Sequence, residues 1–167
     1  MSFIQASWSC LHPILNAFEV YAVQGFKVST TAAEDARALY ALQVVLNLTY
    51  WTGDPCLLVP FDWLECSNNV FPCITNLSLV NYRFRGTIPL EISNLTALTY
   101  LALDNNSFYG SIPDLSSLVH LQSIYLQNNN LSGGIPSFFG SAFLNLTRLD
   151  LDNNNFSGTV PSNLNKQ

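Results

Sequence analysis

"LTYLALDNNSFYGSIP", Leu98–Pro113, decides how the rest of the chain is read. Leu101 and Leu103 stand two apart, so both side chains fall on one face of a short extended segment while Ala102 faces the other way. The segment then meets Asp-Asn-Asn, a glycine and a proline, none of which prolongs a central strand. Working outward, the same order recurs three times, as "ITNLSLVNYRFRGTIP" from Ile74, "LQSIYLQNNNLSGGIP" from Leu121 and "LTRLDLDNNNFSGTVP" from Leu146. The glycines before the final (Ile/Val)-Pro are Gly86, Gly110, Gly133 and Gly158, at steps of 24, 23 and 25 residues. A period of this length, matched four times in register, predicts stacked units that bury a shared core and cannot fold singly.

Each repeated position has a physical task. The pairs Leu77/Leu79, Leu101/Leu103, Ile124/Leu126 and Leu149/Leu151 form the core face of a strand. Asn106, Asn129 and Asn154 follow three residues later, where a column of amides can serve backbone groups stranded by a tight bend. Tyr82 holds that position in the first unit, so the column is expected to begin at the second. Glycine permits the dihedrals after the bend, and proline fixes the return path without needing a donor. The whole pattern resembles the plant-type extracellular leucine-rich repeat, with its L-S-G-x-I-P signature, over Ile74 to Pro161. That resemblance implies an α/β repeat fold: a short leucine-rich-repeat solenoid with parallel strands on its concave face.

An end unit needs cover. Upstream, Thr31 and Glu34 stand at capping-box spacing, and Leu39, Leu42, Val45 and Leu46 follow at helical spacing. They predict an amphipathic helix over about 31–47, lying across the open end of the first repeat. The segment "YWTGDPCLLVPFDWLECS", Tyr50–Ser67, joins that helix to the repeats. Its two thiols could be metal ligands, a nucleophile or a staple. Zinc wants four ligands, and the remaining Cys10, Cys73, His12 and His120 show no paired spacing; no base partner is specified for a catalytic thiol. A Cys56–Cys66 disulfide is the economical reading, closing a short loop and contributing about 3 kcal/mol, with Trp51 and Trp63 as apolar cover.

The same segment resembles the Trp-x-Gly-Asp-Pro-Cys, Trp, Cys-Ser element that joins a malectin-like domain to leucine-rich repeats in a family of plant receptor-like kinases. "LHPILNAFEVYAV", Leu11–Val23, resembles the last strand of that malectin-like domain. The resemblance implies three parts: a malectin-like remnant over 1–27, an N-terminal helical, disulfide-stapled cap over 28–73, and four repeats over 74–167. The state of Cys10 and Cys73 stays open, since the family pattern offers no match for either.

Composition narrows function further. Half of the residues are hydrophobic and a tenth are charged, which places the chain among folded proteins. A net charge of -5 without a Lys/Arg cluster argues against nucleic-acid and lipid-surface partners. No apolar run is long enough to cross a bilayer, and "MSFIQASWSC" lacks the basic and apolar blocks of a secretory signal. A partial leading domain and an uncovered last repeat lead us to expect a receptor-ectodomain fragment or truncated gene product. Sequons begin at Asn47, Asn76, Asn94, Asn105, Asn130, Asn145 and Asn155. With the expected disulfide they point to an extracellular or secretory location, at the plasma membrane within a full-length receptor.

No constellation for catalysis, metal or cofactor binding is present. The Asp150/Asp152 pair occupies outward strand positions, where solvated carboxylates are commoner than acid/base catalysts. Function is therefore expected on the concave face, carried by Tyr100, Asp104, Tyr125, Gln127, Arg148, Asp150 and Asp152. Tyr100 and Tyr125 are rigid, amphipathic anchors, and Asp104, Asp150 and Asp152 would favour a partner with positive charge. Two functions are in view: a non-catalytic receptor module that binds a peptide or protein ligand with a co-receptor, or a free secreted binder such as an inhibitor of cell-wall-degrading enzymes. A non-functional remnant is a third outcome. The parent receptor would carry a serine/threonine kinase, of which this sequence has no motif.

Overall fold

In a computed structural model, the structure describes residues 30–48, 53–56 and 61–164. Leu11–Val23, Cys10, His12 and Trp51 lie outside the described residues. From each repeat come two strands. The first set, β2 (Ile74–Ser78), β4 (Tyr100–Ala102), β6 (Ser123–Tyr125) and β8 (Arg148–Asp150), pairs in parallel, with Leu77, Leu101, Ile124 and Leu149 in register. At its edge β1 (Leu64–Cys66) pairs antiparallel with β2, giving the order β1-β2-β4-β6-β8.

The second set follows the asparagine bend: β3 (Arg85–Gly86), β5 (Ser107–Gly110), β7 (Asn130–Gly134) and β9 (Asn155–Ser157) form another parallel sheet. The sequence reading treats this stretch only as a glycine-permitted return. The structure makes it a sheet, because the repeated bend sets the segments side by side with their N–H and C=O groups unpaired. The glycine is needed there: Gly110 has φ 79°, and a Cβ at that position would meet Thr87 Cγ2 at 3.3 Å.

Between the sheets and the returning 3-10 turns, Leu90–Asn94 and Ser137–Gly140, lies one core. Leu77, Leu79, Leu101, Leu103, Ile124 and Leu126 are fully buried, each worth roughly 1.5–3 kcal/mol by transfer. Leu149 and Leu151 are half-buried, since no described repeat packs beyond them.

The half-buried amides of Asn106, Asn129 and Asn154 close the bends. Asn129 Oδ1 accepts the Phe108 N–H at 3.0 Å, and its Nδ2 donates to the carbonyls of Leu103, Leu126 and Gln127 at 3.0–3.3 Å. Asn106 and Asn154 repeat this, accepting from Phe84 and Leu131 respectively. One residue earlier runs a second, exposed ladder that sequence reading did not anticipate. Asn105, Asn128 and Asn153 all have positive φ, and each later Nδ2 donates to the preceding Oδ1, at 3.1 and 2.8 Å. Asparagine tolerates the left-handed region better than other side-chain-bearing residues, which is the signal in the Asn-Asn doublets.

The helix α1 spans Ala33–Val45 and lies beside the first 3-10 turn. Thr31 and Glu34 do not form the expected capping box. Ala32 occupies the N-cap, and Glu34 pairs with Arg37 on the surface at 2.6 Å. Thr31 is diverted to the Gly-Asp-Pro-Cys turn. Its N–H donates to Asp54 Oδ2 at 2.9 Å, its hydroxyl donates to Asp54 Oδ1, and that hydroxyl accepts the Cys56 N–H at 3.1 Å. The buried stripe is Asp35, Ala38, Leu39, Leu42 and Leu46, while Val45 is 54% exposed. At 100° per residue Val45 lies about 80° from the line through Asp35, beyond the arc facing the core. Asn47, at φ 54°, ends the helix in a Schellman arrangement, with Leu48 N–H bonded to Gln43 C=O at 2.9 Å.

Cys56 and Cys66 are joined in a disulfide with Cα atoms 5.8 Å apart, beside Trp63, which is buried and stacked on Phe61 at 4.8 Å. Cys73 is buried and also disulfide-bonded. Asp35, only 3% exposed, accepts the Ile74 N–H at 2.6 Å. Burial raises its pKa from 3.8 to about 6; the Ile74 hydrogen bond opposes this shift and neighbouring Glu34 adds to it.

Candidate binding face

The parallel register sets the outward side chains of β2, β4, β6 and β8 in rows across the strands. One row is Asn76, Tyr100, Ser123 and Arg148; the next is Ser78, Ala102, Tyr125 and Asp150. Because Ala102 is small, the two tyrosines lean together across it, with ring centroids 5.5 Å apart at 45°, and Ala102 is left 1% exposed. The Arg148 guanidinium stands 5.7 Å from the Tyr125 centroid, within range of a cation–π contact. Tyr100, Tyr125 and Arg148 thus make one continuous aromatic and cationic stack, with Tyr100 and Tyr125 half-buried and Arg148 exposed. Partial burial, then Tyr125 and Asp104, push the Tyr100 phenol above its usual range.

The other expected site residues divide. Asp150 is half-buried, its Oδ1 accepting the Asp152 N–H at 3.3 Å, and Asp152 is exposed. Gln127 is half-buried with an Oε1 atom that has no hydrogen-bond partner. Asp104 differs from expectation. It is 8% exposed, and its carboxylate accepts from Asn105 Nδ2 at 2.6 Å. The left-handed turn at Asn105 folds that amide back over the acid, so the negative charge available to a partner is that of Asp150 and Asp152. At the first repeat Asn76 is occupied, donating to Glu65 Oε2 at 2.6 Å and accepting from the Thr99 hydroxyl at 3.2 Å. His120 is half-buried, and no group of three potential metal ligands occurs among the described residues.

Parallel strands stacked at a period of 23–25 residues, with a leucine pair in each strand and an asparagine at each bend, define a leucine-rich-repeat protein. The profile described as the LRR domain of the EGF-like domain-containing protein ComC matches residues 60–164, and the chain belongs to the leucine-rich-repeat family. It is 37% identical over 140 residues to a probable LRR receptor-like serine/threonine-protein kinase of Arabidopsis thaliana, covering 82% of this chain and 15% of that protein. It is 31% identical over 122 residues to the nodulation receptor kinase of Pisum sativum, covering 68% and 13%. The chain thus spans about 15% or less of the length of these curated relatives.

Among solved structures, the LRR ectodomain of the receptor kinase SOBIR1 from Arabidopsis thaliana superposes with a TM-score of 0.68 at 27% identity, covering 78% of this chain and 72% of that one. The Arabidopsis receptor kinase HAESA, solved with the peptide hormone IDA and the co-receptor SERK1, gives 0.65 at 29%, covering 79% and 23%. A plant ice-binding protein gives 0.71 at 29%, covering 78% and 44%. One fold therefore serves different ends, and a function for this chain has to be read from its face. No described helix is long and apolar enough to cross a membrane.

Proposed function

We propose that the chain is the ligand-perceiving part of a plant receptor-like kinase ectodomain, acting outside the cell without catalysis. In this reading the repeats form a short solenoid, and its row of outward side chains contacts a peptide or a co-receptor. The helix and the Cys56–Cys66 segment cover the first repeat as a cap over 28–73. The segment 1–27 belongs to a malectin-like domain, and any kinase activity belongs to other parts of the receptor. The curated relatives are named as receptor kinases and the match takes in 15% or less of their length, and HAESA was solved with a peptide hormone and a co-receptor.

The observation that carries the reading is the Tyr100–Tyr125–Arg148 stack. Two rigid aromatics and an arginine stacked across three neighbouring strands are of the side-chain types that dominate protein contacts. Four strands span about 15 Å at the usual spacing, which suits an extended segment better than a broad protein surface. Asp150 and Asp152 beside Arg148 give one end of the row both signs of charge.

A phage-displayed peptide library selected on the immobilised full chain tests this. Enriched peptides are expected to lose binding at least tenfold to the combined Tyr125→Ala and Arg148→Ala variant. Peptides that bind that variant equally well, or no enrichment at all, would count against a binding function on this face.

A further inference from the structure

Six of the seven sequons lie wholly within the described residues, Thr49 of the Asn47 sequon lying outside them, and these six are alike in sequence and unlike in structure. Asn76 and Asn105 have both ends of their side chains engaged. Asn76 donates to Glu65 and accepts from Thr99, whereas Asn105 donates to Asp104 and accepts from Asn128. A sugar on Nδ2 replaces one of its two amide hydrogens and sets a bulky ring beside an acceptor that now lies at 2.6 Å. At Asn76 that ring would also stand beside Tyr100 in the outward row. Asn94 and Asn145 are the reverse. Both are exposed, and no described residue engages their side-chain amides. Asn94 is the last residue of the first 3-10 turn, and Asn145 lies in the turn leading to β8. Each is followed by Leu-Thr, with the leucine (Leu95 or Leu146) buried, which holds the asparagine outward. Asn130 and Asn155 open neighbouring strands β7 and β9, with Asn155 in register with Ser132 and Asn130 two residues before it, so two branched glycans there would crowd each other.

Among these six, we propose that Asn94 and Asn145 carry N-linked glycans in the folded protein and that Asn76 and Asn105 stay bare. The acceptor chemistry is the ordinary one, transfer of an oligosaccharide from a lipid-pyrophosphate donor to the asparagine amide with the lipid pyrophosphate leaving. Selection follows from folding: a chain modified at Asn76 or Asn105 loses contacts that close the first two repeats, while one modified at Asn94 or Asn145 loses none. Sugars then stand on the turns between strands, and the row holding Tyr100 and Arg148 is left uncovered. The inference rests on the extracellular reading and is independent of whether that row binds a peptide.

The test is to express the full chain behind a cleavable secretory leader in plant cells and isolate the folded monomer. Glycans are then released with peptide-N-glycosidase A in 18O-water, and the labelled aspartates are mapped by mass spectrometry. Label at positions 94 and 145 in most molecules, with none at 76 or 105, is the expected result. Label at 76 or 105 in folded monomer, or bare asparagine at 94 and 145, would overturn the assignment. Asn94→Gln and Asn145→Gln should each remove one glycan from the mass, and Asn76→Gln none; the wild-type map decides the matter if a variant fails to fold.

Discussion

The repeats and the segment before them close buried backbone groups with different chemistry. In the repeats the acceptor is a neutral amide: Asn106, Asn129 and Asn154 take the N–H groups of Phe84, Phe108 and Leu131. Before them it is a carboxylate: Asp35 takes the Ile74 N–H, and Asp54 takes those of Thr31 and Cys56. A neutral amide offers donors as well, so one asparagine can serve a strand on either side; a carboxylate only accepts, and its burial is opposed by desolvation. The first solution can be repeated along a stack. The second suits a place where one element meets another once.

The sharpest way to break the contrast is Asn129→Ala, which strands the Phe108 N–H and several carbonyls together. A loss of about 3–4 kcal/mol in urea unfolding is expected; a loss below about 1 kcal/mol would mean that water replaces the amide without difficulty. Replacing Cys56 and Cys66 by serine should cost about 3 kcal/mol. In hydrogen exchange the loss should appear in α1 while β4 and β6 keep their protection, whereas equal loss in all three would make the two regions one cooperative unit.

Asp35 gives the comparison a pH axis. Its pKa is about 6 in the folded state against 3.8, so the folded state holds the proton more tightly. Its contribution is complete below about pH 4 and is lost as pH rises through 6, a change of about 3 kcal/mol. Asp35→Asn should flatten that slope in thermal melts between pH 4 and 7, and a variant that keeps the wild-type slope would assign it to other groups. The smallest effect belongs to the exposed ladder. Asn128→Ala should cost about 1 kcal/mol, chiefly for an alanine forced to positive φ. Asn128→Gly should stay within about 0.5 kcal/mol of wild type, which would separate dihedral strain from the loss of the Asn105 and Asn153 contacts.

How far sequence reading reaches varies by position for physical reasons. The parallel strands follow from Leu101 and Leu103 and their counterparts, because period-two alternation repeated at a constant interval leaves one way to share a core. The second sheet escapes such reading, since Ser107–Gly110 and Asn155–Ser157 are too short to show alternation and pair only through the stacking. Leu39, Leu42 and Leu46 are buried as their spacing predicts, whereas Val45 falls at the margin of the buried arc and Asp35 lies within it, because a pattern of apolar residues does not mark an acid that accepts a buried N–H. Asp104 holds an outward strand position by spacing, yet the left-handed turn at Asn105 decides its exposure, and one residue's dihedral is not written in a pattern of apolar positions. The Tyr100–Tyr125 pair is nearer the surface of the sequence: the register follows from the period, and the intervening alanine is visible beside it.

The stack β1-β2-β4-β6-β8 has a mechanical consequence. The third and fourth repeats are each held to their predecessor by two sheets and an asparagine bond in each ladder, so a pull on the last described repeat loads all four connections across one boundary. Rupture there frees 23–25 residues at a time, roughly 80 Å of chain, and leaves the boundary behind it intact. Force would therefore travel through the array as a series of similar steps, ending at a segment where the Cys56–Cys66 bond, with its separation of 10 residues, keeps a short loop from lengthening at all.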